Sequence, residues 1–195
     1  LEIAGTLLAA GADAAIRDHD GRTAFLEAAR GGRLDLLNRL LDHLPRGGAE
    51  AAASADARGR NALVLACMAE SPSPELVQKL LDLGVDAEQR DAEGKRAIDR
   101  AAEAGRWSLV AALDRAYPLP SALSEDADED APLPDRAPTM LLRDGLRDGR
   151  SDELGGLAQL LSAKELGALL HDDEAATSAD RVRWLLGQGA DAGVR

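Results

Sequence analysis

The amino-acid sequence predicts an all-α protein of stacked helix-turn-helix units with short β-turn tips. Three observations carry that prediction. A motif opening D-x-x-G recurs at Asp18, Asp56 and Asp91, and self-similarity at such a period marks a repeat architecture. Each copy is followed by leucines, valines and alanines at helical spacing. The chain is 45% hydrophobic yet only 2% aromatic, so Ala and Leu must supply the core. That disfavours a sandwich or barrel, which leans on β-branched and aromatic residues.

The elements follow in order. The chain opens in what reads as the second helix of a unit and runs into LLAAGADAAIR at 7–17. From Asp18 it reads D-x-x-G-x-T-A-F-x-x-A-A-x-x-G to Gly32, then a periodic stretch with Leu36, Leu37, Leu40 and Leu41. From Asp56 it reads D-x-x-G-x-N-A-L-x-x-A-C, then Leu76, Val77, Leu80 and Leu81 within LLDLGVDAEQR at 80–90. From Asp91 it reads D-x-x-G-x-R-A-I-x-x-A-A-x-x-G to Gly105, then Leu109, Val110 and Leu113. The turn aspartates are placed to accept backbone amides, and Gly21, Gly59 and Gly94 supply a positive φ. Thr23 and Asn61 stand where an N-cap is wanted. Ala28–Ala29, Ala66–Cys67 and Ala101–Ala102 put small side chains where helices approach. Gly11, Gly84 and Gly189 fit left-handed C′ caps.

Spacing marks the interruptions. Asp18 to Asp56 is 38 residues, which places an inserted Gly/Ala-rich loop near Pro45–Ser54. Asp56 to Asp91 is 35, with the extra residues at Ser71–Pro74. Ser73 followed by Pro74 and Glu75 makes a helix start with Pro at N1. Residues 117–138 read as an acidic, Pro-rich loop or linker containing the run Glu125–Asp130. Beyond it Met140, Leu141, Leu142 and Leu146 predict a helix ending at Gly149, and Leu154, Leu157, Leu160 and Leu161 predict its partner. Ser162 with Glu165 forms a capping box ahead of Leu166. Val182, Trp184, Leu185 and Leu186 lead into LLGQGADAGVR at 185–195.

These motifs resemble the ankyrin repeat, a unit of about 33 residues with a β-turn and two antiparallel helices. The resemblance is specific at Asp18–Gly32, Asp56–Cys67 and Asp91–Gly105, and at the loops holding Gly11 and Gly189. It implies ankyrin-type repeats over 1–116, the loop at 117–138, and two degenerate repeats over 139–195, in one continuous domain. The family's T-P-L-H is T-A-F-L at 23–26, N-A-L-V at 61–64 and R-A-I-D at 96–99. Loss of that Pro and His predicts fewer ties between repeats and a lower stability. The frame predicts a segment of a longer array.

Composition limits function. With 35 acidic and 23 basic residues the formal charge is −12, which disfavours nucleic acid, since duplex affinity rests on neutralising phosphates. The lone Cys67 forms no intramolecular disulfide. No apolar run is long enough to span a membrane. A cytoplasmic location is the expectation, with any targeting signal outside this segment. Gly187, Gly189 and Gly193 imitate a dinucleotide fingerprint, but they follow a helix where that motif must open one. Asp126, Asp128 and Asp130 resemble the start of an EF-hand loop, yet Ala131 stands where Gly is required and Ala137 where Glu is required. His19, His43 and His171 show no metal-ligand spacing. Cys67, at a small-residue position between helices, reads as buried rather than as a nucleophile with His19 or His43. Trp184 reads as core or edge packing and Trp107 as half exposed. No catalytic residue, cofactor, metal or small-molecule substrate is predicted.

By the resemblance, such arrays recognise proteins through turn tips and the outer side of the first helix. Carried over by position, this marks Arg17, His19, Asp20, Arg22 and Arg30; then Arg58, Arg60 and Met68; then Arg90, Glu93, Lys95 and Glu103. Six of the tip positions are basic and two acidic, a surplus of four that falls to one when Asp18, Asp56 and Asp91 are counted. Arg presents a planar fork suited to carboxylates, so a partner with an acidic segment is expected. The run Glu125–Asp130 is a candidate competitor for those tips, since about 22 flexible residues span roughly 25 Å. The alternative role is structural or autoregulatory, through contacts with other domains of the same larger protein.

Overall fold

The computed structural model describes residues 2–44, 48–117, 123, 135–172 and 175–193. Twelve α-helices lie among them, and Ser151–Glu153 form a 3-10 turn. No strand is present among the described residues, and Ala55 and Asn61 form an isolated antiparallel bridge. The all-α expectation holds. The chain divides into two compact units, residues 1–101 with 109–115, and residues 102–108 with 116–195.

The first unit opens with α1 (Glu2–Ala9), α2 (Ala24–Arg30) and α3 (Leu34–His43). It continues with α4 (Ala49–Ala52), α5 (Ala62–Cys67) and α6 (Pro74–Asp82). α2 packs on α3 within its repeat and on α5 of the next; α5 packs on α6. Phe25, Leu26, Leu37, Leu63, Leu65, Leu76 and Leu80 are almost wholly enclosed. Ala28, Ala29, Ala66 and Cys67 are buried with them, which allows the short first helices to stack closely. The predicted inserted loop differs in one respect. Gly48 takes a left-handed φ of 83° and starts α4, whose Ala52 is 3% exposed, so part of the insertion folds onto the core.

The predicted ends are present. Thr23, Asn61 and Ser73 each accept an amide three residues on, from Leu26, Val64 and Leu76, and Pro74 occupies the first helical turn. An N-cap of this kind contributes about 1 kcal/mol. The anticipated loss of ties between repeats is offset at Asn61. Its Nδ2 donates to Asp86 O at 2.7 Å and to Gln89 Oε1 at 3.3 Å, joining α5 to the loop that leads into the next tip. Gln89 Nε2 in turn donates to Gly59 O at 3.0 Å.

α7 (Ala97–Glu103) and α8 (Trp107–Leu113) contribute residues to both units. In the second unit, α9 (Pro138–Arg147) packs on α10 (Gly155–Gln159) and α11 (Ala163–Leu169), and α11 on α12 (Ala179–Gly187). The Ser162–Glu165 capping box forms in both directions. Gly149 follows α9 with φ 77°. Trp107 corrects the sequence reading. It is fully enclosed rather than half exposed, and its Nε1 donates to Arg136 O at 2.8 Å. A partner for that N–H lies 29 residues away, beyond the reach of local pattern. Trp184 is partly buried, as edge packing requires. The linker run Glu125–Asp130, with its suggested competition for the tips, lies outside the described residues.

Candidate protein-recognition surface

Each tip is built around its aspartate. Asp18 Oδ1 accepts the amides of Asp20 and Arg22, Asp56 Oδ1 those of Arg58 and Arg60, and Asp91 Oδ1 those of Glu93 and Lys95, all at 2.8–2.9 Å. Gly21, Gly59 and Gly94 close the turns with φ of 71–78°. Successive tips are joined backbone to backbone: Ala57 N donates to Asp20 O and Ala92 N to Arg58 O, both at 2.8 Å. The tips therefore form a pre-set row.

The arginines anticipated as recognition groups are largely engaged within the chain. Arg22 is ringed by Asp18, Asp20 and Glu27, and its side chain is only 15% exposed. Arg60 pairs with Asp56 at 2.6 Å, and Arg30 with Glu27 at 2.5 Å. Arg17 donates to Gly21 O at 2.5 Å and Ala55 O at 2.8 Å, and Arg90 to Gly94 O at 2.8 Å. Asp20 and Glu93 are taken by Arg22 and Arg100. His19 is exposed. The side chain of Arg58 is different: it is exposed and makes no hydrogen bond or ion pair among the described residues.

The pairing has an electrostatic signature. Burial alone would push the Asp56 carboxyl up, but Arg60 and the amides of Arg60 and Arg58 outweigh it and hold it below its ordinary value. At Asp91 burial is likewise outweighed, by the Lys95 amide, Arg100 and the Glu93 amide. The Arg22 amide does most to lower Asp18, in a solvent-exposed setting.

Four of the sequence-derived candidates meet in one place. Arg58, Arg60, Met68 and Glu93 line a cleft of about 60 Å³ with Asp91 and Arg100. Met68 is 44% exposed, a large apolar side chain left open at the cleft that Arg58 also lines. Arg30 borders a separate groove of about 650 Å³ with Leu7, Leu8, Ala24 and Ala28. Arg17 borders another of about 550 Å³ with Thr23, His43 and Glu50. His19, Asp20, Arg22, Arg90, Lys95 and Glu103 line none of these three cavities. Sequence reasoning passed over Arg100, four residues beyond Arg96 on α7, which spans Asp91 at 2.6 Å and Glu93. Its helical position relative to the turn aspartate was the available signal.

Among the described residues no group of three or more His, Cys, Asp or Glu side chains is arranged to hold a metal ion. Cys67 is buried. No described helix is long and apolar enough to cross a membrane.

Comparison with known proteins gives one family. A sequence profile of ankyrin repeats matches residues 1–91 in three copies. No curated protein matches the chain. Among solved structures, a chain from the complex of a predatory endopeptidase with an immunity protein, from Bdellovibrio bacteriovorus, is 24% identical with a TM-score of 0.50. The match covers 59% of this chain and 57% of that one, so this chain spans little more than half of that relative's length. An ankyrin repeat domain from Acinetobacter baumannii is 20% identical over 95% of this chain and 74% of its own, with a TM-score of 0.46. The ankyrin repeat domain of human ASB11 is 19% identical over 100% of this chain and 85% of its own, with a TM-score of 0.48.

Proposed function

From the premise that this chain is an ankyrin-repeat protein, with three copies matched over residues 1–91, we propose that it binds a partner protein, without catalysis, through its turn tips and first-helix positions. Ankyrin repeats are generally protein–protein interaction modules, and their fold is typically non-catalytic. The tips supply a rigid row, which lowers the ordering cost of binding.

The observation that carries the reading is the juxtaposition of Arg58 and Met68 at one cleft. An exposed thioether is an adaptable apolar contact, and a guanidinium without an internal partner can take a carboxylate through two parallel hydrogen bonds. The preference for an acidic partner segment thereby narrows from a whole basic row to one cation. The other tip arginines act as structural members, because removing Arg22 or Arg60 strips a paired carboxylate and removing Arg17 or Arg90 strips backbone carbonyls of their donor. A carboxylate next to an apolar side chain is the partner chemistry that fits.

The test compares partner capture by the wild-type chain with Arg58→Glu, Met68→Asp and Arg183→Glu. Arg183 lies on α12 and is 78% exposed at its side chain. Recovery of a specific partner should fall about tenfold or more, equivalent to about 1.4 kcal/mol, for the first two and stay unchanged for the third. A partner retained equally by all three overturns the reading.

A further inference from the structure

Methionine is an adaptable filler of apolar cores, yet this chain keeps it outside. The sequence has two methionines; Met68 is 44% exposed and Met140 53%. The six residues ahead of Met68, which make up α5, are each at most 1% exposed. Cys67 is among them, so the thiol next to Met68 in the chain is enclosed while Met68 itself meets solvent. A dissolved oxidant reaching this end of α5 therefore finds Met68 and not Cys67.

The cleft that Met68 lines is rich in donors. Three guanidiniums border it, those of Arg58, Arg60 and Arg100. Arg60 is held by Asp56, and Arg100 by Asp91 and Glu93, which are the carboxylates of the cleft. Arg58 is exposed and its side chain has no acceptor among the described residues. An acceptor oxygen introduced at Met68 would thus enter a small space whose open groups are the donors of Arg58.

We propose that Met68 is a modification site that switches this cleft: a hydroperoxide converts it to the sulfoxide, whose oxygen takes the Arg58 guanidinium and closes the cleft to its partner. The inference rests on the reading that Arg58 and Met68 receive that partner. In the step, the thioether sulfur attacks one peroxide oxygen, an S–O bond forms and the O–O bond breaks. With hydrogen peroxide the second oxygen leaves as water carrying both protons; sulfur is oxidised by two electrons and the peroxide reduced by two. The product is polar where the thioether was apolar. One added oxygen therefore removes both recognition elements, the adaptable apolar contact and the unpaired cation. A methionine sulfoxide reductase supplied with thiol reverses the change, removing the oxygen as water while the thiol becomes a disulfide.

The test treats the 195-residue chain with hydrogen peroxide and locates the added oxygen by mass spectrometry. Capture of the partner recovered by the untreated wild-type chain is then measured for wild type, Met68→Leu and Met140→Leu, before and after oxidation. Leu keeps an apolar side chain of similar volume without the sulfur. Wild type and Met140→Leu should lose capture about tenfold on oxidation and regain it after treatment with the reductase and dithiothreitol. Met68→Leu should capture equally before and after. The Arg58 Nε–H resonance should also shift on oxidation in wild type and not in Met68→Leu, a readout that needs no partner. The switch is overturned if Met140 gains oxygen while Met68 does not, if the Arg58 resonance stays in place, or if Met68→Leu loses capture as wild type does. Arg58→Glu separates the two levels. If it fails to capture while fully oxidised wild type captures normally, the recognition cleft stands and the switch alone fails. If Arg58→Glu captures as wild type does, the cleft reading itself fails.

Discussion

Asp56 illustrates how much of a tip depends on one side chain. Its Oδ1 accepts two backbone amides and its Oδ2 takes Arg60, and the side chain is 0% exposed. Asp56→Ala leaves two turn amides and a guanidinium without their acceptor, and should cost about 3 kcal/mol in urea unfolding near neutral pH. The same carboxylate makes stability depend on acid. Asp56 and Asp91 titrate below the ordinary value of 3.8 in the folded chain, so the unfolded chain binds more protons just below that value. Their contribution is complete above that value and is lost as pH falls through the lowered folded values. Asp56→Ala should accordingly show a shallower loss of stability than wild type between about pH 5 and pH 2. An equal acid dependence in the two proteins would remove Asp56 from the account.

At the scale of elements, helix ends were legible in the sequence because capping is local chemistry. Ser73–Pro74 and Ser162–Glu165 each complete their bonds within three residues. What escaped depends on residues distant in the chain. The Trp107 indole finds its acceptor at Arg136, and the Asn61 amide bridges to Asp86; neither partner is marked by a period or motif. The glycines after helices divide in the same way. Gly84 has φ 80° with open space where a Cβ would stand, whereas Gly32 has φ 67° and an added Cβ would strike Ser71 O. Gly84→Ala should therefore cost only the left-handed penalty of about 1 kcal/mol. Gly32→Ala should cost distinctly more, because the backbone joining α2 to α3 must also shift. Thermal unfolding of the two variants checks the ordering, and equal losses would contradict it.

For the whole molecule, the net charge of −12 says little about the candidate surface, since Arg22 and Arg60 are paired with neighbouring carboxylates and Arg17 and Arg90 donate to backbone carbonyls. The candidate row was legible as positions because the repeat fixes which residues stand at tips. Which of them remain available was less so: Arg22 and Arg60, each four residues after a turn aspartate, are paired with carboxylates, whereas Arg58, two residues after Asp56, is exposed. Arg58 and Met68 line one cleft across a turn and a first helix, and the proposal places the partner there. The most direct measurement places a photo-crosslinking residue at position 58, 68 or 78 of the chain in its native cells. Gln78 is exposed on α6, on a second helix rather than a first. Adducts to one common protein from positions 58 and 68 but not from 78 are the predicted result; adducts to that protein from 78 alone, or from none of the three, would contradict recognition through the tips and first helices.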